Sequence, residues 1–99
     1  MDKVIIKTNL APAPIGPYNQ AVKAGNMLFV SGQIALNPAN GELINTTVAE
    51  EASQVMKNIA AVLNEAGADF SNIVKTTIFL SDMSLFTEVN EIYGSYFTA

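Results

Sequence analysis

The sequence of 99 residues contains no cysteine, histidine, tryptophan or arginine. The absence of cysteine excludes a disulfide framework and a thiolate nucleophile. Without histidine as well, the chain cannot form a Ser-His or Cys-His catalytic pair or a set of nitrogen and sulfur ligands for zinc. Any chemistry must therefore use carboxylates, hydroxyls, amides, backbone groups or a lysine.

Positive charge is also scarce. The basic residues are five lysines against nine acidic residues, which gives a net charge of −4. No basic run is present to neutralise phosphates, so nucleic acid is not an expected partner. There is no apolar run of about 18 residues that could span a membrane. The apolar run at residues 4–6 is too short for a signal peptide, so we expect a cytoplasmic protein without a membrane partner.

The length and the 49% hydrophobic content predict one domain, residues 1–99, with a real core. A chain this short buries only a modest fraction of its surface. We therefore expect additional burial through oligomerisation.

Short strands are predicted in the first third of the chain. Residues 4–6 form the first, and residues 18–23 and 27–33 form a hairpin, because Gly25 and Asn26 between them tolerate positive φ. A second turn is predicted at residues 37–42, NPANGE, with Asn40-Gly41 at its tip.

Residues 11–17, APAPIGP, form an extended loop, because three prolines fix φ and remove backbone donors. The loop is either a surface connector or a rigid segment that lays Tyr18 against a site. From the residues alone we favour the connector.

A long amphipathic helix is predicted over residues 48–66. Thr47 and Glu50 have the spacing of a capping box, and Gly67 provides a stop. Apolar residues recur between them at helical spacing, and Met56 among them is expected in the core. The stripe comprises Val48, Ala52, Val55, Met56, Ile59, Val62, Leu63 and Ala66.

Residues 73–80, IVKTTIFL, are β-branched and aromatic and predict a fourth strand. A second helix follows, capped by Asp82 or Ser84, and Asn90 interrupts its apolar stripe. Asn90 is either a hydrogen-bonded core amide, a residue at the edge of the stripe, or part of a site. The order is β-β-β-α-β-α. Because a helix that crosses a sheet normally leads to another strand, we expect the domain to be cut short at Ala99.

Ser31 stands at the end of a strand in the segment LFVSGQI, residues 28–34. Its hydroxyl could be a nucleophile, a ligand-binding group or a hydrogen-bonded strand-end serine. A serine nucleophile requires an adjacent base, and no Ser-x-x-Lys spacing supplies one. The nucleophile is therefore the least favoured of the three roles.

Three stretches together resemble the RidA/YjgF family of imine and enamine deaminases. They are IGPYNQAV, then LFVSGQI with NPANGE, and finally IVKTTIFLSDMSLFTEVNEIYGSYF. The resemblance implies a chorismate-mutase-like α+β fold, in which a mixed sheet is backed by two helices. It also implies a homotrimer with pockets in the clefts between subunits.

The resemblance further implies a cofactor-free, metal-free hydrolysis. The family converts reactive 2-imino acids or their enamines, such as 2-iminobutanoate and 2-iminopropanoate, to 2-oxo acids and ammonia. This reaction protects pyridoxal-phosphate enzymes. By the same resemblance, Tyr18, Ser31, Gly32 and Asn90 match residues of the family's substrate pocket. Gly32 would let the backbone approach the ligand closely.

Two groups of the family pattern are absent from these 99 residues. The family chain continues into further strands that carry a Pro-Ala-Arg segment and, later, a glutamate. The arginine binds the substrate carboxylate through two parallel hydrogen bonds, and the glutamate holds the hydrolytic water. We therefore expect a C-terminally incomplete domain with impaired activity.

A second hypothesis is a non-catalytic trimer that binds a small carboxylic acid as a regulator or chaperone-like protein. RNA cleavage, which has been attached to some relatives, is disfavoured by the acidic composition and by the lack of histidine and arginine.

Overall fold

The computed structural model describes residues 2–97, so the terminal residues of the predicted domain, Met1, Thr98 and Ala99, lie outside the described residues. The chain begins with an antiparallel sheet of three short strands in the order β1-β2-β3. They span Lys3–Ile6 (β1), Ala21–Ala24 (β2) and Met27–Val30 (β3). The first three predicted strands therefore exist, but the second and third are shorter than the sequence pattern indicated.

Turn chemistry fixes the register of the sheet. Gly25 has φ of 60°, whereas Asn26 keeps a negative φ, so the two residues connect Ala24 to Met27 in the manner of a type II′ turn. The predicted turn at residues 37–42 is also present. There Gly41 has φ of 73° and Leu36 forms an isolated bridge with Leu43.

Helix α1, Val48–Glu65, has a defined cap at each end. The Thr47 hydroxyl accepts a hydrogen bond from the Glu50 backbone N–H at 3.1 Å, so the predicted N-cap is present. The reciprocal bond from the Thr47 N–H to the Glu50 side chain, which would complete the predicted capping box, does not form among the described residues. At the other end Gly67 has φ of 78°, and the Ala68 N–H donates to the Leu63 carbonyl at 2.9 Å. This is a Schellman termination, which stops the helix one residue before the predicted end.

The core lies between α1 and the sheet. Val62 of α1 is fully buried and clusters with Ile6, Ala11 and Ala21. The predicted core position of Met56 is confirmed, since Met56 is buried. A second helix, α2 at Phe86–Gly94, packs against α1 and is preceded by a 3₁₀ turn at Met83–Leu85. Asp82 caps that turn by accepting from the Ser84 N–H at 2.8 Å.

The fourth strand predicted at residues 73–80 is wrong for residues 2–97. That segment has no regular secondary structure and pairs with no strand of the described chain, so the sheet there is antiparallel rather than mixed. β-branched and aromatic residues form a strand only when a neighbouring strand pairs with them. Residues 73–80 have no such neighbour within residues 2–97. The apolar residues of the segment lie largely at the surface: Val74 is 88% exposed and Phe79 92% exposed.

None of the helices within residues 2–97 is both long enough and apolar enough to cross a lipid bilayer.

Candidate functional site

A small cleft lies where the proline-rich loop meets the segment after β3. Tyr18 and Gly32 line it from opposite segments, and its volume is about 30 Å³. The remaining lining residues are Pro12, Ala13, Ile15, Gln20, Gln33, Ile34 and Leu36. Of the four residues that the sequence singled out, the structure places Tyr18 and Gly32 at one cavity.

Local sequence explains the position of the Tyr18 ring. The Tyr18 N–H donates to the Gly16 carbonyl at 2.8 Å, which makes a tight turn at the end of the proline-rich loop. A Cβ at Gly16 would lie 3.4 Å from Cε1 of Tyr18, which is ordinary van der Waals contact, so the ring lies directly against Gly16. The loop therefore does more than connect β1 to β2, because it forms one wall of the cleft and presents a half-exposed tyrosine there.

Ser31 lies between β3 and Gly32 and is half-buried. Its Oγ donates to the Asn19 carbonyl at 2.5 Å, and its N–H donates to the Gln20 carbonyl at 3.0 Å. A carbonyl oxygen cannot act as a general base for the hydroxyl. The hydroxyl proton is thus engaged in a structural bond, while the oxygen lone pairs stay available to accept a hydrogen bond.

Gly32 is exposed, and a Cβ built on it would meet no heavy atom within 4 Å among the described residues. The protein itself therefore does not require glycine at this position for space. The role that the resemblance implies, close approach of a ligand to the backbone, stays a prediction.

Asn90 lies apart from these residues. It is exposed on α2 and is not among the residues that line the Tyr18 cleft. Within residues 2–97 it is therefore not a buried core amide, and the position at the edge of the helix stripe fits what is seen.

Two buried amides next to the cleft were missed in the sequence. Gln20 is 3% exposed and Asn58 is 1% exposed, and both bind backbone carbonyls of the segments that line the cleft. A sequence signal existed for Asn58, which falls between Val55 and Val62 on the apolar stripe of α1. An amide that is buried on such a stripe must find hydrogen-bond partners.

A larger, open groove is lined in part by α1 and has a volume of about 520 Å³. Its lining residues are Leu10, Lys57, Ala60, Ala61, Asn64, Ala68 and Asp69. The side-chain and backbone hydrogen bonds from Ser71 hold the pKa of Asp69 below its ordinary value. Those bonds cap the short 3₁₀ turn Phe70–Asn72, which accounts for the carboxylate as a structural group. None of the four residues singled out in the sequence lines this groove.

Comparison with known proteins decides the family. Residues 8–99 match the family model described as endoribonuclease L-PSP. The mouse 2-iminobutanoate/2-iminopropanoate deaminase is 50% identical over 93 residues, covering 94% of this chain and 69% of the mouse protein. The chain belongs to the RidA/YjgF/L-PSP family.

Solved structures of the RidA/YjgF/L-PSP family have the same fold. A Rid-family protein from Yersinia pestis matches with a TM-score of 0.95 and 44% identity, covering 99% of this chain and 78% of that one. The TdcF protein of E. coli, solved with bound serine, matches with a TM-score of 0.90 and 39% identity. That match covers 94% of this chain and 72% of TdcF. The RidA-type fold is therefore confirmed, and about a quarter of each relative lies outside the matched region.

Proposed function

We propose that this RidA-family chain functions in the cofactor-free hydrolytic deamination of reactive 2-imino acids to 2-oxo acids and ammonia, a reaction that protects pyridoxal-phosphate enzymes. The observation that carries the proposal is the 50% identity to deaminases of mouse and human over 93 residues. The substrates would be 2-iminobutanoate, 2-iminopropanoate or their enamines. The product is formed when water adds to the imine carbon and ammonia leaves.

The Tyr18 cleft is the proposed binding site. Ser31 does not line this cleft in the single chain but directly precedes Gly32, which does. Its oxygen, whose proton is engaged by the Asn19 carbonyl, would accept a hydrogen bond from the N–H of an iminium group bound at that edge. The ring of Tyr18 would pack against one side of the ligand, and the backbone at Gly32 would contact the other. An iminium carbon is already electrophilic, so water needs orientation and a proton acceptor rather than a covalent nucleophile.

A homotrimer is the proposed assembly, with sites between subunits. The cleft of one chain has a volume of only about 30 Å³, far below the roughly 300–1,000 Å³ of typical small-molecule sites. A second subunit would enlarge and enclose the site, and its surface is the place from which an exposed Asn90 could reach the ligand. We also propose a cytoplasmic location and small 2-imino acids, rather than nucleic acid or membrane, as partners.

The alternative function is a non-catalytic trimer that binds a small carboxylic acid. The absence of arginine does not separate the two functions, because both ligands carry a carboxylate that an arginine would bind through two parallel hydrogen bonds. The observation that favours the alternative is a relative with a small molecule bound. A structural relative, TdcF, was solved with bound serine, which carries a carboxylate.

Imine hydrolysis by the 99-residue chain separates these functions. A threonine dehydratase generates 2-iminobutanoate, semicarbazide competes for it, and the rate of semicarbazone formation is followed. We expect the chain to slow semicarbazone formation, and Tyr18→Phe to weaken the effect without unfolding the protein.

If the chain is inactive but gains activity when extended by a Pro-Ala-Arg strand segment, the deaminase class stands and the arginine is required. Inactivity with the extension present would contradict the deaminase proposal and favour the binding protein.

A further inference from the structure

Both walls of the Tyr18 cleft consist of loop rather than of helix or strand. Residues 12–18 form one wall and residues 32–36 the other, and both lie outside β1–β3, α1 and α2. Loop backbone lacks the repeated hydrogen bonds that hold a ladder or a helix rigid. The prolines at positions 12, 14 and 17 also remove backbone donors from the first wall. Another group must therefore fix these walls.

Gln20 fixes the first wall. Its Nε2 donates to the carbonyls of Thr8, Ala11 and Pro12 at 3.0, 3.2 and 2.9 Å, and its Oε1 accepts from the Thr8 N–H at 2.7 Å. One buried amide thus holds together the backbone of Thr8, Ala11 and Pro12, where the proline-rich loop begins. Since Gln20 directly precedes β2, it ties that loop to the sheet.

Asn58 fixes the second wall. Its Nδ2 donates to the carbonyls of Ile34 and Leu36, each at 3.0 Å. Its Oδ1 accepts from Nε2 of Gln54, one helical turn earlier, at 2.9 Å. The amide therefore uses its donors and its acceptor fully, and it ties the segment after β3 to the middle of α1.

We infer that Gln20 and Asn58 are positioning residues, which hold the two loop walls of the Tyr18 cleft at a fixed separation. Asn58 acts from outside the cleft, whereas Gln20 also lines it. The inference deepens the proposed function, because the cleft is the proposed binding site. A binding site loses affinity when the contacts that support it allow its ligand-binding groups to move by about 1 Å.

Asn58→Asp is the most informative variant. The carboxylate has the shape of the amide and still accepts from Gln54, but it loses both donors and faces two carbonyl oxygens. Asn64→Asp is the matched control, because Asn64 is exposed on the same helix. If Asn58→Asp does not fold, Asn58→Ser, which keeps one neutral donor, takes its place.

Amide hydrogen exchange measures the wall directly. The Leu36 N–H donates to the Ile34 carbonyl at 2.9 Å, and the Ile44 N–H donates to the Ala35 carbonyl at 2.8 Å, so both amides report on this segment. We expect the Asn58 variant to raise their exchange rates by about tenfold or more, with Asn64→Asp unchanged. In parallel, 2-oxobutanoate is titrated as a stable probe of the cleft. Its affinity should fall by about tenfold in the Asn58 variant only.

A lower melting temperature with loop exchange and probe affinity within about twofold of the parent would overturn the inference, since Asn58 would then serve stability alone. Failure of the parent chain to bind 2-oxobutanoate would instead count against the proposed ligand class. In that case the exchange rates of Leu36 and Ile44 still decide whether Asn58 holds the wall, and unchanged rates would reject it. Gln20→Glu provides the corresponding test of the first wall.

Discussion

At the scale of single residues, Ser31 shows how a hydrogen bond limits chemistry. Its hydroxyl donates to the Asn19 carbonyl at 2.5 Å, so the proton is directed away from any base. Among the three roles that the sequence left open, this geometry favours a strand-end hydroxyl that can also accept a ligand hydrogen bond. It does not favour a nucleophile, because nothing activates the oxygen.

Ser31→Ala should therefore weaken function without abolishing it. Loss of one partly buried hydrogen bond lowers the free energy of unfolding by about 1 kcal/mol, and loss of one ligand hydrogen bond should reduce imine turnover by about five- to tenfold. Thermal unfolding and the semicarbazide competition assay measure the two effects. Ser81→Ala, at an exposed serine, serves as the control. Complete loss of turnover with binding intact would instead indicate a covalent role for Ser31.

Residue identity alone did not reveal the buried amides. Gln20 looks like an ordinary polar residue in the sequence, whereas the place of Asn58 on the apolar stripe of α1 indicates burial but not its partners. The partners of both amides are carbonyls that are 8 to 24 positions away. Local patterns carry information about caps and turns, as at Thr47 and Gly25, but not about which distant carbonyl a side chain meets. For this reason the supporting contacts of the cleft became visible only in the structure.

At the scale of secondary-structure elements, local signals predicted α1 well and residues 73–80 poorly. The helix has a capping residue, an apolar stripe and a glycine stop, all within 21 residues of sequence, and it forms within one residue of the prediction. A strand needs a partner, and the partner lies outside the information in the strand itself. Residues 73–80 hence keep their β-branched composition but pair with nothing within residues 2–97.

Matched valine substitutions test this difference between the elements. Val62 in α1 is 0% exposed, whereas Val74 is 88% exposed. Val62→Ala should lower the free energy of unfolding by about 2 kcal/mol, from lost burial and a residual cavity. Val74→Ala should change it by no more than about 0.5 kcal/mol. Urea unfolding of both variants at low protein concentration measures the contrast, and equal effects would contradict the burial seen here.

At the scale of the whole molecule, exposed apolar side chains point to association. Phe29, Val74 and Phe79 are 60%, 88% and 92% exposed in the described chain, and we expect a partner surface to cover such large apolar side chains.

Light scattering tests the proposed trimer independently of activity. The chain mass is 10.5 kDa, and we expect a species of three times this mass. In such a species, unfolding should depend on protein concentration, because association adds to the stability of the folded state. A monomer mass at all concentrations would rule out a cleft shared between subunits of this chain.

The position of the binding site is the claim on which the proposed function depends most. It is tested by titrating ¹⁵N-labelled protein with 2-oxobutanoate and following each backbone amide. We expect the shifts to concentrate at Tyr18, Gly32 and Gln33 in the small cleft, although the groove beside Lys57 is much larger. Shifts confined to Asn64, Ala68 and Asp69 in that groove, or no saturable shifts anywhere, would contradict the proposed site.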